Sequence, residues 1–526
     1  MNKRKTEILI IIIFLILQTI IYIFIAQKKS YIHIDEAYSF GLSNYDKIDI
    51  QDNEDFFNTW HSKEYYEDYL AVQEDEIKEF KPVYENQKND VHPPLYYLFL
   101  RICMGFTTGH FSIWPGIILN IIIYLFITIF MYLILKELFN DEKFSNIKAS
   151  ILAFMSSIIL ASLSNVINIR MYSLSTLNIL ITTFLHIKLL KSNKINIKLL
   201  IAIGISVLAG VLTHYYYLFF LAILYLIFLI KYIKEKQLKT LFYYTLTMIV
   251  AGITSLIIFP YSLQHMFFGY RGQGVMTNLS NLHEIIPSLI SQIENLNYYV
   301  FNGIMPVIII IIILLLICNK IQKKSNFKID KEKKEILKII AIPSIFFFII
   351  TSIASPWKVL RYFVPVCGLI FMLAIFCLYK ILHSRFSEKI SNIIICILFC
   401  IVLISPIILK LKPELLYDDR KEIVQKISGE LNLPTIYFLN YPNNSFLDDI
   451  FIFARINDSY IAKNTNYTKE DIQKIFENKD ISDGVLVFIS KEEEETQLIN
   501  SIEEALNFTN YESLENLSSC KVYHIY

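Results

Sequence analysis

The stretch Lys3-Arg4-Lys5-Thr6-Glu7, followed by ILIIIIFLILQTIIYIFIA from Ile8 to Ala26, decides the fold class. A helix over the apolar run would reach roughly 28 Å, the thickness of a bilayer's hydrocarbon. The run is longer than a signal-peptide core and no small-x-small cleavage site follows it, so it is expected to stay attached as a first span. Comparable runs begin near Trp114, Ala149, Met171, Leu199, Tyr215, Leu241, Val300, Ile339, Leu360 and Ile390. They predict an all-α, polytopic membrane protein with about eleven transmembrane helices. Composition agrees, because 54% hydrophobic residues and a mean hydropathy of +0.46 exceed what one water-soluble core would require.

Charge sets the expected orientation. With the N-terminus inside, the connections Lys136–Lys148, Lys188–Lys198, Lys231–Lys239, Lys320–Lys338 and Lys380–Lys389 all fall on the cytoplasmic side, and all are Lys-rich. The shorter apolar stretch Leu95–Phe106 would reverse that pattern if it spanned. Its Arg101 would also be costly at mid-membrane, so it is expected to lie flat at the interface.

The reading places a multi-pass protein in the plasma membrane with an N-terminal domain, residues 1–411, that carries two outer loops, 27–113 and 261–299. Residues 412–526 are expected to form a small extracytoplasmic α/β domain. Its strand-like runs are Thr435–Leu439, Gly484–Ile489 and Lys521–Tyr526, and its helical runs are Lys469–Glu477 and Lys491–Leu506. A net charge of +1 gives no reason to expect a nucleic-acid partner, and the seven cysteines show no disulfide or zinc spacing.

Residues able to carry chemistry gather outside. His33-Ile34-Asp35-Glu36-Ala37-Tyr38 follows the first span, where an acid could act as a general base; equally, Asp35 could cap a short helix with Glu36 in its first turn. Asp90-Val91-His92-Pro93-Pro94 ends the first loop on a rigid turn. Later span ends hold Asn168-Ile169-Arg170-Met171-Tyr172, Thr213-His214-Tyr215-Tyr216-Tyr217 and Trp357-Lys358-Val359-Leu360-Arg361-Tyr362. Because Lys and Arg are depleted outside, Arg170, Lys358 and Arg361 as a group point to a bound anion such as a lipid phosphate, although each alone could snorkel to headgroups. Arg271, in the Gly269–Gly274 segment, is a further phosphate candidate on a flexible loop. The His and acid content could hold a divalent cation, but no ligand spacing points to one.

In this order and on this topology, the Asp-Glu-Ala-Tyr, Asp-Val-His-Pro-Pro-Leu-Tyr-Tyr, Arg-Met-Tyr, Thr-His-Tyr-Tyr and Arg-Tyr-x-x-Pro motifs resemble the GT-C glycosyltransferases. The nearest likeness is to the family 39, protein O-mannosyltransferase-like branch that includes the lipid A aminoarabinose transferases. The resemblance covers roughly residues 1–411. It implies a GT-C fold, a polyprenyl-phosphate sugar donor, an acceptor hydroxyl on a lipid, wall polymer or protein, and inversion at the anomeric carbon. By that likeness Asp35 is the base and Arg170 and Arg361 neutralise the departing phosphate. Glu36 would orient Asp35 or help hold a metal, His92 would contact phosphate or sugar, and Tyr38 and Tyr172 would pack on the sugar. Many relatives carry an acid where this chain has Asn168, which weakens any two-acid or metal-dependent scheme. The competing readings are a transporter or flippase for lipid-linked substrates and a non-catalytic envelope-assembly protein. The mostly clean apolar spans speak against transport.

Overall fold

The computed structural model describes residues 3–526 apart from 141, 193, 322–329, 444, 492–494 and 518. Part of the Lys320–Lys338 connection therefore lies outside the described residues. The chain is a multi-pass membrane protein, mostly helical, and every expected span coincides with a helix or a bent helix pair. Among the described residues, eight helices are long and apolar enough to cross a membrane, or up to ten if each of two bent pairs is one span. The bent pairs are Ser145–Ile158 with Leu160–Ile167, at 59°, and Leu282–Phe301 with Met305–Ile317, at 85°. The expectation of about eleven exceeds this by the Ile197–Val211 helix, whose 15 residues reach only about 22 Å.

The 261–299 segment, expected as an outer loop because it lies between two spans, carries secondary structure of its own. It folds as three helices, Ser262–Phe267, Tyr270–Ser280 and Leu282–Phe301. Gly272 serves close packing rather than flexibility there, because a Cβ at that position would stand 2.1 Å from the Met266 carbonyl oxygen.

The chain divides into two compact units. The membrane unit comprises residues 1–26, 91–96 and 117–414, and the loop-and-tail unit comprises residues 27–90, 97–116 and 415–526. In the second unit a six-stranded sheet forms from β1 (Trp60–Ser62), β2 (Thr435–Phe438), β3 (Asp458–Ala462), β4 (Val485–Ser490), β5 (Tyr511–Asn516) and β6 (Cys520–Ile525), in the order β1-β3-β2-β4-β6-β5. β2 runs parallel to both β3 and β4, while β6 is antiparallel to β4 and β5.

The first long loop is built into this sheet. β1 pairs antiparallel with β3 in the register Trp60 to Tyr460, and Tyr66 shares a 2.7 Å hydroxyl contact with Ser459. Trp60 caps the apolar cluster formed by β2, β4, Ile472, Phe476 and Ile502. Its indole N–H donates to the Ile475 carbonyl at 3.1 Å. Arg101 is also explained within this unit. It is 1% exposed, and its guanidinium donates to Asn44 Oδ1 at 2.8 Å and to the Glu76 carbonyl at 2.7 Å.

Removing residues 415–526 would strip β1 of its partner strand and Tyr66 of Ser459. Limited proteolysis of the shortened protein in detergent is expected to cut residues 45–75 rapidly while sparing the membrane helices; unchanged protection of that loop would contradict this packing.

Candidate functional site

In the membrane unit, the residues singled out in the sequence sit where spans break or end. Asn168 closes the Leu160–Ile167 helix, and its N–H donates to the Ser164 carbonyl at 3.1 Å. The next helix starts at Tyr172, so Asn168, Ile169, Arg170 and Met171 form a tight connection within buried surroundings. Arg170 is 5% exposed. A buried guanidinium needs anionic or carbonyl company to offset the loss of water.

One residue that the sequence reading missed fixes this turn. Asn120 lies within the apolar Trp114–Leu138 helix and is fully buried. Its amide donates to the Val166 and Asn168 carbonyls at 3.1 and 2.8 Å, and its Oδ1 accepts from Ser173 and Tyr96 at 2.6 and 3.2 Å. A single amide thereby ties the end of one helix, the start of the next and the start of Leu95–Met104. The available signal was a lone Asn inside a run of Ile and Leu.

His214 stands in the turn between Ile197–Val211 and Tyr217–Lys234. Its Nδ1 accepts the Tyr216 N–H at 3.1 Å, which leaves the ring proton on Nε2. Burial, followed by the nearby His92 and Arg170, holds its pKa well below the usual imidazole value. His214 is therefore a neutral donor rather than a cation. Its ring centroid lies 6.1 Å from His92, 5.5 Å from Tyr172 and 4.9 Å from Tyr216.

Tyr362 continues the cluster, 6.3 Å from Tyr172 and 6.0 Å from Tyr216. Beside it Arg361 occupies a short 3-10 turn, Leu360–Tyr362, with its guanidinium 5.7 Å from the Trp357 ring centroid. Arg271 stacks on the same indole at 4.4 Å from the first turn of Tyr270–Ser280. A further residue missed in the sequence is Glu414. Burial raises its carboxyl pKa, while Arg361 and the Leu360 N–H oppose the rise.

Lys358 is engaged differently from the arginines. Its ammonium donates to the Ser352, Ile353 and Ser355 carbonyls at 3.0, 3.2 and 2.9 Å, and so caps the C-terminal end of Lys331–Ala354. His92, Arg170, Tyr172, His214, Arg361 and Arg271 thus form a connected aromatic and cationic surface, with Lys358 supporting its backbone.

The acidic motif belongs to the loop-and-tail unit. It opens the Ile34–Asn44 helix, and the N-cap is His33 rather than Asp35. His33 Nδ1 accepts the Asp35 N–H at 3.1 Å, and Glu36 Oε2 accepts the His33 N–H at 2.8 Å, closing a capping box. Glu36 also accepts from Lys29 at 2.9 Å in a fully buried ion pair. The Lys29 ammonium reaches the Leu415 carbonyl at 2.8 Å as well. Asp35 instead keeps a quarter of its side chain exposed, with its Oδ2 3.5 Å from His33 Nδ1. Gly41 lets this helix sit against Tyr69, whose ring would be 2.0 Å from a Cβ there. Tyr38 points to Asp49, donating its hydroxyl at 3.0 Å. Among the described residues, no three His, Cys, Asp or Glu side chains converge as a metal-ligand set.

Arg170 and His214 fall in a stretch that matches a family model: residues 91–259 match the Dolichyl-phosphate-mannose-protein mannosyltransferase family. The whole chain is similar to the crystal structure of ArnT from Cupriavidus metallidurans bound to undecaprenyl phosphate, with a TM-score of 0.50 and 9% identity over 98% of this chain and 97% of that one. The fold is like that of ArnT. The apo structure of the same ArnT gives a TM-score of 0.50 at 10% identity, with the same coverage. No curated protein matches this sequence. The likeness in fold extends through the tail as well, beyond the roughly 411 residues over which the motifs carry the resemblance.

Asn120→Leu keeps the side chain's bulk but removes the four hydrogen bonds at the Asn168 turn. It is expected to destabilise the membrane unit by about 2 kcal/mol, read as a lower thermal midpoint in detergent. An unchanged midpoint would show that the turn holds without this amide.

Proposed function

We propose that the chain is a membrane glycosyltransferase that moves a sugar from a polyprenyl-phosphate donor to an acceptor hydroxyl on the outer face of the membrane. The observation that carries this reading is the connected Arg170, His214, Arg361 and Arg271 surface, set at span ends rather than mid-bilayer. A lipid phosphate reaches such a place by lateral diffusion, and cations there neutralise charge as the phosphate leaves. The ArnT structure with bound undecaprenyl phosphate supports a lipid phosphate as the ligand class. The Lys-rich connections on the opposite side support the outer-face assignment.

In the proposed step the acceptor oxygen attacks the anomeric carbon, the bond from that carbon to the phosphate oxygen breaks, and the acceptor proton passes to the Asp35 carboxylate. Inversion follows from a single displacement. Asp35 suits the role because it is partly exposed and lies on a helix held by the buried Lys29 and Glu36 pair. Glu36 then orients the helix that carries Asp35. Arg170 and Arg361 stabilise the leaving phosphate, with Arg271 beside them. Neutral His214 donates from Nε2, and His92, Tyr38 and Tyr172 line the sugar.

Transport is favoured by one feature, the 59° break at Ile158 lined by Ser156, Ser157, Ser162 and Thr176. The cavity there is about 10 Å³, too small for a sugar. The hydroxyls of Ser156, Ser157 and Ser162 instead bond to local carbonyls at 2.8, 2.7 and 2.8 Å. The break is a packed bend.

The test is transfer of radiolabelled sugar from a panel of undecaprenyl-phosphate sugars by the purified protein in liposomes. Asp35→Asn is expected to lower the rate by about 10²- to 10⁴-fold without changing the melting temperature, and an EDTA arm decides whether a divalent metal ion takes part. Equal turnover by wild type and Asp35→Asn would overturn the assignment of the base. Movement of intact donor across the bilayer without transfer would establish the transporter reading.

A further inference from the structure

The loop-and-tail unit holds cations of its own, laid over a row of aromatic rings. Tyr31, three residues before Ile34, is fully buried, and its hydroxyl donates to the Asp448 carbonyl at 3.1 Å and to Asp449 Oδ1 at 3.2 Å. Its ring is thereby fixed in place. It stands edge-on to Tyr417 at 6.0 Å and to Phe451 at 5.2 Å, and Phe451 continues the row to Phe111 at 6.2 Å. Phe111 in turn meets Phe40, on the Ile34–Asn44 helix, at 5.1 Å. The row therefore runs from the tail to the helix that carries Asp35.

Three cations lie over these rings, and their charges are not equally engaged. Lys29 is 5.6 Å from the Tyr417 ring centroid, but Glu36 takes its charge in the buried pair. The Arg420 guanidinium lies 4.8 and 4.4 Å from the centroids of Tyr31 and Tyr417, and that of Arg455 lies 4.1 Å from the centroid of Phe451. Arg420 is half-buried and Arg455 is exposed. Among the described residues, no carboxylate stands within salt-bridge distance of either arginine, and neither guanidinium donates a hydrogen bond. A guanidinium stacked on a ring uses its face and keeps its edge, where the N–H donors point, for another partner. Stacking also restrains the side chain beforehand, which lowers the entropy lost when an anion binds.

We propose that Arg420 and Arg455 form a phosphate-binding site of the loop-and-tail unit, separate from the arginines of the membrane unit. Planar guanidinium forks match phosphate oxygens in pairs, and two positive charges on one aromatic row suit a phosphate dianion. The phosphate comes either from the headgroup of an anionic phospholipid or from a water-soluble phosphate ester. The chemistry of the site is the same for both, and the experiment separates them. An acceptor that carries phosphate would be held here along the Ile34–Asn44 helix; that role, unlike the site itself, rests on the reading of Asp35 as the base.

The test is equilibrium binding of radiolabelled inorganic pyrophosphate to the full-length protein in phosphatidylcholine nanodiscs, with Arg170→Ala and Arg361→Ala as the background to silence the proposed donor-phosphate site. Binding is expected to persist in that background. It should weaken on the order of 100-fold when Arg420→Gln and Arg455→Gln are added, and only about tenfold with Arg420→Lys and Arg455→Lys, which keep the charge and lose the fork. The same substitutions in the otherwise wild-type chain, read as loss of one bound pyrophosphate, serve if the background fails to fold. Absence of binding, or an affinity unmoved in the folded Gln variant, overturns the inference; a lower melting temperature with unchanged affinity would assign the arginines a structural role alone. In discs that contain phosphatidylglycerol, a drop in pyrophosphate binding larger than that of the Gln variant upholds the site with a headgroup as its ligand. Retained binding that glycerol 3-phosphate displaces upholds it with a soluble ester. Because binding is read without turnover, undiminished transfer by Asp35→Asn removes the acceptor role and leaves the site standing.

Discussion

A helix that stops within or at the edge of a bilayer leaves amides and carbonyls that lipid cannot satisfy. The candidate site in the membrane unit is built from the groups that answer this constraint. Asn120 supplies donors to the carbonyls at 166 and 168, Lys358 to the last turn of Lys331–Ala354, and His214 an acceptor to the Tyr216 amide. Asn178 donates to Thr213 at 2.9 Å beside the same turn. Polar residues that hold broken spans together therefore also set a cationic and aromatic surface, and structure and chemistry share the same few side chains. Arg170 and Arg361 inherit their positions from that backbone.

The loop-and-tail unit solves a different problem with a different device. In the proposed reaction, a carboxylate offered to an acceptor must be exposed enough to be reached, yet held in one place. The pair Asp35-Glu36 divides these demands. Glu36 is buried with Lys29 and closes the capping box, so the helix is fixed by a charge pair whose partner cannot be removed cheaply. Asp35, one residue away and on a different face, remains accessible. The same unit draws Tyr31, Asp448 and Asp449 around the helix start, which makes the tail part of the setting of the acidic motif.

The fold was legible through the resemblance carried by the ordered motifs, and the spans because hydrophobic length acts locally along the chain. The cation candidates at span ends were visible for the same reason. Three things were not. Short strands such as β1, only three residues long, and β3 acquire their identity from pairing across about 400 residues of sequence. The role of Asn120 depends on which turn it faces, and the capping role of Lys358 on where its helix ends. Glu36 and Asp35, adjacent in sequence, looked equivalent until burial separated them. Glycines at 269–274 suggested mobility, whereas close helix packing explains Gly272.

The central claim is that a lipid phosphate is the ligand of the arginine and histidine surface. Thermal stabilisation of the detergent-purified protein by undecaprenyl phosphate, compared with undecaprenol, tests it most directly. The account predicts that the phosphate form raises the melting temperature of the wild type, that Arg170→Ala and Arg361→Ala abolish the rise, and that the alcohol has little effect. Equal stabilisation by phosphate and alcohol, or a rise undiminished in both arginine variants, would contradict it.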